Sequence, residues 1–151
     1  MRRITEEEAR SILSQPKFCL DCSSWNPVQE LRGAFKAVNG LVDHDKLRSG
    51  FYVELVFYRS PKTNICTYKF SVFQMSPSGS ARVYQLDVRR FSKKIKDEHQ
   101  RSHEHFGVSR QNGSTDWDRW DYDDVMAYFC RQTNIEFGPK LPHPEHFELK
   151  P

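Results

Sequence analysis

Residues 65–88, ICTYKFSVFQMSPSGSARVYQLDV, decide the fold. Cys66, Tyr68, Phe70 and Val72 alternate with Thr67, Lys69, Ser71 and Phe73; after MSPSGS, Tyr84, Leu86 and Val88 alternate with Gln85 and Asp87. A period of two sends one set of side chains to a core and the other toward water, which is the pattern of a half-buried strand. A join this short, built of Pro, Ser and Gly, returns the chain antiparallel to itself.

Working outward, GFYVELVFYR is aromatic and β-branched and reaches residue 65 through the turn-rich SPKTN. The spacing therefore predicts a meander of three strands, over 51–59, 65–75 and 81–89. In VQELRGAFKAVNG, Val28, Leu31, Phe35 and Val38 fit a helix while Leu31, Gly33, Phe35 and Ala37 fit a strand. The interior glycine and the closing Asn39-Gly40 favour a fourth strand. EHFGV offers a short fifth strand, SRQNGST reads as a turn, and FCLDCSSWNP reads as a loop between Pro16 and Pro27.

Two helices complete the outline. Thr5 and Glu8 form a capping box ahead of Ala9, Ile12 and Leu13, predicting a helix over 5–14. Asp121 is an N-cap with Asp124 at N3, and Tyr122, Val125, Met126, Phe129 and Thr133 recur at helical spacing over 121–133. The expected fold class is α+β in a single domain spanning 1–151: an antiparallel sheet of four or five strands, the 121–133 helix on one face and the N-terminal helix beside it. Residues 1–24 supply helix and loop; residues 138–151 form an extended Pro-rich tail pinned by Phe137, Leu141 and Phe147.

Composition narrows the function classes. The aromatic share of 13% supplies buried area, and no window approaches the eighteen apolar residues of a membrane span. MRRITEEEAR lacks the apolar core of a signal peptide, so a cytoplasmic protein without membrane partners and with reduced cysteines is expected. The net charge of +3 is small, but residues 82–110 hold eight Lys and Arg against four acids, whereas DWDRWDYDD (116–124) holds five aspartates and one arginine. The two blocks oppose each other in sign, suiting either mutual docking or separate surfaces for a polyanion and a basic partner.

DEHQRSHEHFG, residues 97–107, contains His99, His103 and His105. If 103–106 is extended, His103 and His105 share one face with Cα atoms about 7 Å apart, and Glu104 and Phe106 take the other. Two imidazoles facing one way suit an acid and a base flanking a phosphodiester, because imidazole gains and loses protons near neutrality. Arg89, Arg90, Lys93, Lys94, Lys96 and Arg101 are the candidate phosphate and nucleic-acid contacts. The bland alternative is a solvated loop. FCLDC holds a CxxC, half a zinc site at Cys19 and Cys22, which His103 with His105, or His143 with His146, would complete; otherwise no cofactor is expected. The aspartates at 116, 118, 121, 123 and 124 lack the glycine and terminal glutamate of a calcium loop and are read as helix caps, with Trp117 and Trp120 covering the first turn.

The order YKFSVF, YQLDV, HEHF, a tryptophan, VMAYFC and NIEF, over residues 28–137, resembles the small prokaryotic proteins around the TumE-type toxins of toxin–antitoxin modules. The resemblance implies a ribonuclease-like protein of a mobile element, with the HxH, here His103 and His105, as active centre, RNA as substrate and an antitoxin as protein partner. FCLDC, the basic RRFSKKIKDEHQRS and the terminal PHPEHFELKP depart from that pattern. The leading expectation is a metal-independent ribonuclease in which His105 is general base, His103 the acid and Arg89, Arg90 or Arg101 holds the phosphate; the spacing leaves the two histidine roles interchangeable. Its rival is a non-catalytic binding protein, an inhibitor or regulator working through its charged surfaces.

Overall fold

The computed structural model describes residues 3–20, 22, 24–89 and 101–146. The predicted meander forms its centre. β3 (Ala34–Val42), β4 (Arg48–Arg59), β5 (Cys66–Ser76) and β6 (Gly79–Arg89) pair antiparallel in sequence order. β7 (His103–Phe106) and β8 (Ser109–Asn112) extend the sheet on the β6 side. On the other side β1 (Lys17–Leu20) pairs antiparallel with β3 and parallel with β9 (Ile135–Gly138), while β2 (Asn26–Pro27) pairs with part of β3. The spatial order is β8-β7-β6-β5-β4-β3-β1-β9, a nine-stranded, mostly antiparallel open sheet once β2 is included.

The expected count of four or five strands is therefore too small. The loop reading of FCLDC fails because Lys17 to Leu20 lie register to register against Ile135 to Gly138, a pairing visible only once distant segments meet. The turn reading of SRQNGST fails because Ser109–Asn112 is a polar edge strand with no apolar alternation to announce it. The ambiguous segment is a strand from Ala34 onward.

Both helices begin as their sequences require. α1 (Glu6–Leu13) and α2 (Tyr122–Thr133) each carry a reciprocal capping box, Thr5 with Glu8 and Asp121 with Asp124. Val125, Met126 and Phe129 of α2 are buried in the core, and the Phe129 ring lies 5.6 and 6.0 Å from those of Phe70 and Tyr84. Trp25 and Tyr122 close the same aromatic core, each about 6.3–6.5 Å from Phe70. Buried Lys17 caps the far end of α2, donating from Nζ to the Thr133 carbonyl at 3.0 Å, where the helix dipole favours a cation. The tail is held by Leu141, by Trp25 donating to the Pro142 carbonyl and by a two-pronged Arg59–Glu145 pair; Phe147 lies outside the described residues.

Ile4, Ala9 and Leu13 of the α1 region belong to the same core as α2, so the helices share one face of the sheet. Among the described residues no helix covers the other face. The β7–β8 hairpin projects its odd-numbered β7 residues onto that uncovered face. Its two-residue turn has Gly107 at φ 57°, and Val108 is not in the positive-φ region, the pattern of a II′ turn. Gly107 also donates to the Val83 carbonyl, Val108 donates to the Ile4 carbonyl, and a Cβ on Gly107 would meet the Ile4 carbonyl oxygen at 2.1 Å. Gly107→Ala is expected to lower stability by about 2–4 kcal/mol, measured by urea unfolding, because strain and a backbone clash coincide.

Candidate active site

Alternation along β7 separates its four residues by face. His103 stands opposite Asp87 and His105 opposite Gln85 on β6, while Lys69 and Ser71 of β5 continue the same rows. On the β8 side the partners are Asn112 and Arg110. The two imidazoles meet edge to face with centroids 4.9 Å apart, closer than the backbone repeat because the rings lean together. The predicted shared face is present.

The rings differ in surroundings. His103 is 9% exposed, and its Nδ1 lies 2.7 Å from the Arg101 carbonyl. A carbonyl only accepts, so Nδ1 carries the proton and Nε2 keeps its lone pair in the neutral ring. Asp87 Oδ2 stands 3.9 Å from that Nε2. The Nδ1 of His105 is buried without a hydrogen-bond partner. An orphaned acceptor is more readily tolerated than an orphaned N–H, which places the neutral ring's proton on Nε2. Burial first, then Arg82, His103, Arg110 and Lys69, push the His105 pKa down to about 4. It is neutral at pH 7.

Glu104 occupies the opposite face and is also buried. Tyr84 donates to its Oε1 at 2.8 Å, Gln132 to the same oxygen at 3.0 Å and Tyr128 to Oε2 at 2.6 Å. Burial, reinforced by the carboxylate, raises both phenol pKa values and keeps them as donors. Tyr128 in turn packs against Trp117 and Trp120, whose rings stack on one another at 4.8 Å. The tryptophans thus pack on the second turn of α2 at Tyr128 and not on its first, while Asp121 and Asp124 form the expected cap.

The remaining predicted contacts divide. Arg101 contributes its carbonyl to His103, and Arg89 ends β6 two residues beyond Asp87 on the histidine face. Arg90, Lys93, Lys94 and Lys96 lie outside the described residues. Lys69, Arg82 and Arg110 surround His105 but were not singled out from sequence; strand register, not proximity along the chain, brings them there. Glu104 was missed as a functional support for the same reason.

Cys19 is buried in β1 and hydrogen-bonded to Cys22, which raises the Cys19 pKa, with burial adding to the effect, and lowers that of Cys22. His103 and His105 lie on the fifth strand from β1, about 24 Å away by strand spacing, so they do not complete a zinc site with these thiols. The His143 ring packs on Phe57 and Tyr122, and its Nδ1 accepts from the Glu145 backbone; the His146 side chain lies outside the described residues. Among the described residues no three His, Cys, Asp or Glu side chains are grouped to hold a metal ion. No described helix is long and apolar enough to cross a membrane. No family model, curated protein or solved structure matches this chain.

Two measurements check the site. Glu104→Gln turns one acceptor into a donor facing donors and is expected to cost about 2 kcal/mol in urea unfolding. For His105, the unfolded ring titrates near 6.5 and the folded ring near about 4, so between those values the unfolded chain binds the extra proton. Stability held above pH 6.5 is lost as pH falls toward 4. Comparing unfolding at pH 7 and 4.5, wild type should lose roughly 1–2 kcal/mol more than His105→Gln, less than a full conversion of the shift because water reaches the ring.

Proposed function

We propose that this chain is an RNA-directed, metal-independent phosphodiesterase of toxin type, working at His103 and His105. The observation that carries the reading is the imidazole pair at 4.9 Å on the face that no described helix covers, with Lys69, Arg82 and Arg110 around it. In this mechanism His103 Nε2 takes the proton of a ribose 2′-hydroxyl, and the resulting oxyanion attacks the adjacent phosphorus. Asp87 stabilises the imidazolium formed. His105 donates its Nε2–H to a non-bridging phosphate oxygen, the cations offset the growing charge, and the departing 5′-oxygen takes a proton from water. The ring tautomers favour this assignment over its reverse, with His105 as base.

Purified protein should cleave RNA in EDTA, and His103→Ala should slow cleavage roughly 10²–10⁴-fold. Intact RNA after incubation with wild type, together with unchanged growth on expression, would end the proposal.

The burial of His103, whose side chain is 11% exposed, favours a second reading in which the pair only braces the hairpin. The chain would then be a binding protein, an inhibitor or regulator whose charged surfaces engage a protein partner. That reading expects charge reversal at Lys93, Lys94 and Lys96 to abolish partner capture, and replacement of both histidines to leave it intact.

A further inference from the structure

Beside the histidines, the sheet face that no described helix covers carries a second feature that acid–base chemistry does not use. Phe73 of β5 stands opposite Tyr52 of β4 and opposite Arg82 of β6. The Phe73 and Tyr52 rings stack with centroids 5.3 Å apart and planes inclined by 26°, and both residues remain partly exposed. Tyr52 is steadied by a 2.8 Å hydrogen bond between its hydroxyl and Ser80 Oγ. Counting strands and residues, Phe73 lies about 12 Å from His105 between Cα atoms, with Arg82 on the intervening strand.

Cross-strand aromatic pairs also stabilise sheets without binding anything. The surroundings here favour a ligand. Around His105 this face carries Lys69, Arg82 and Arg110 against Asp87, and beside Tyr52 the acid Glu54 is ion-paired with Lys36 at 2.7 Å, so the balance of charge is positive. A π-platform beside a row of cations matches a polymer that alternates flat bases with phosphates. A duplex keeps its bases inside the stack and leaves the rings no free base to hold. Only a single strand satisfies both parts.

We infer that the Tyr52–Phe73 pair is a base-stacking subsite that makes this face selective for single-stranded RNA. The inference rests on the RNA-directed reading of the histidine site, but it concerns binding and is tested without cleavage. In a His103→Ala/His105→Ala protein, fluorescence anisotropy would follow a labelled 12-nucleotide RNA, alone and annealed to its complement. Single-stranded RNA should bind at least about 10-fold more tightly than duplex. Phe73→Leu should weaken single-strand binding about 10-fold and leave duplex binding unchanged, as expected for losing one stacked base. Phe73→Tyr should restore it. Thermal unfolding of the three proteins separates a lost platform from a lost fold, and Tyr52→Leu provides an independent variant if Phe73→Leu is unstable. Equal affinity for single strand and duplex, or no binding of either, overturns the inference; so does single-strand binding that is indifferent to both folded leucine variants. Selective binding by a protein that never cleaves RNA would leave this subsite standing and remove the phosphodiesterase. Cleavage without strand selectivity would do the reverse.

Discussion

The arrangement depends on the buried carboxylate of Glu104 and the three donors that grip it. β7 is four residues long, too short to fix its own register by apolar burial alone. Side chains alternate across a strand, so a slip of one residue would drive both imidazoles toward the core and Glu104 into the open. Tyr84, Tyr128 and Gln132 oppose that slip, because leaving a buried carboxylate without donors costs more than most packing defects. The position of the histidines is thus settled from the other side of the sheet.

This anchoring also joins the two layers. Tyr84 belongs to β6, while Tyr128 and Gln132 belong to α2, so the helix that covers one face orders the chemistry on the other. The Phe129 ring between Phe70 and Tyr84 makes that coupling stiff. Polar contacts on the histidine face complete it: Gln85 donates to Ser71 Oγ at 2.9 Å, and Arg82 donates to the Gly107 carbonyl at 3.3 Å. Cations are fixed beside His105 by the same rows that fix the ring.

The central hairpin was legible in the sequence because its alternation is long and its joins are short. Tyr68 and Phe70 fall on the core side and Lys69 on the other, as read. The capping boxes were equally legible, being local in the chain. β1, β8 and β9 were not: β1 and β9 are held by each other across more than a hundred residues, and β8 is polar with no apolar alternation. The shared face of His103 and His105 followed from period two alone. The different chemical states of the two rings did not, because they depend on the Arg101 carbonyl and on Asp87 and Arg82, the last two brought within reach by strand pairing. The proposed zinc completion by His103 and His105 failed for the complementary reason: separation across a sheet cannot be read from separation in a chain.

The parallel clasp of β1 with β9 has a consequence for biogenesis. Lys17 to Leu20 leave the ribosome before their outer neighbours, Ile135 to Gly138, which are synthesised more than a hundred residues later. Until then the nascent chain presents a strand whose outward amides and carbonyls have only solvent or a stranger to bond, a template for unwanted pairing. Buried Lys17, whose ammonium reaches the Thr133 carbonyl only after α2 has formed, keeps a charge on that strand during the wait. The residue that finally locks the helix end is also suited to act as its gatekeeper during translation.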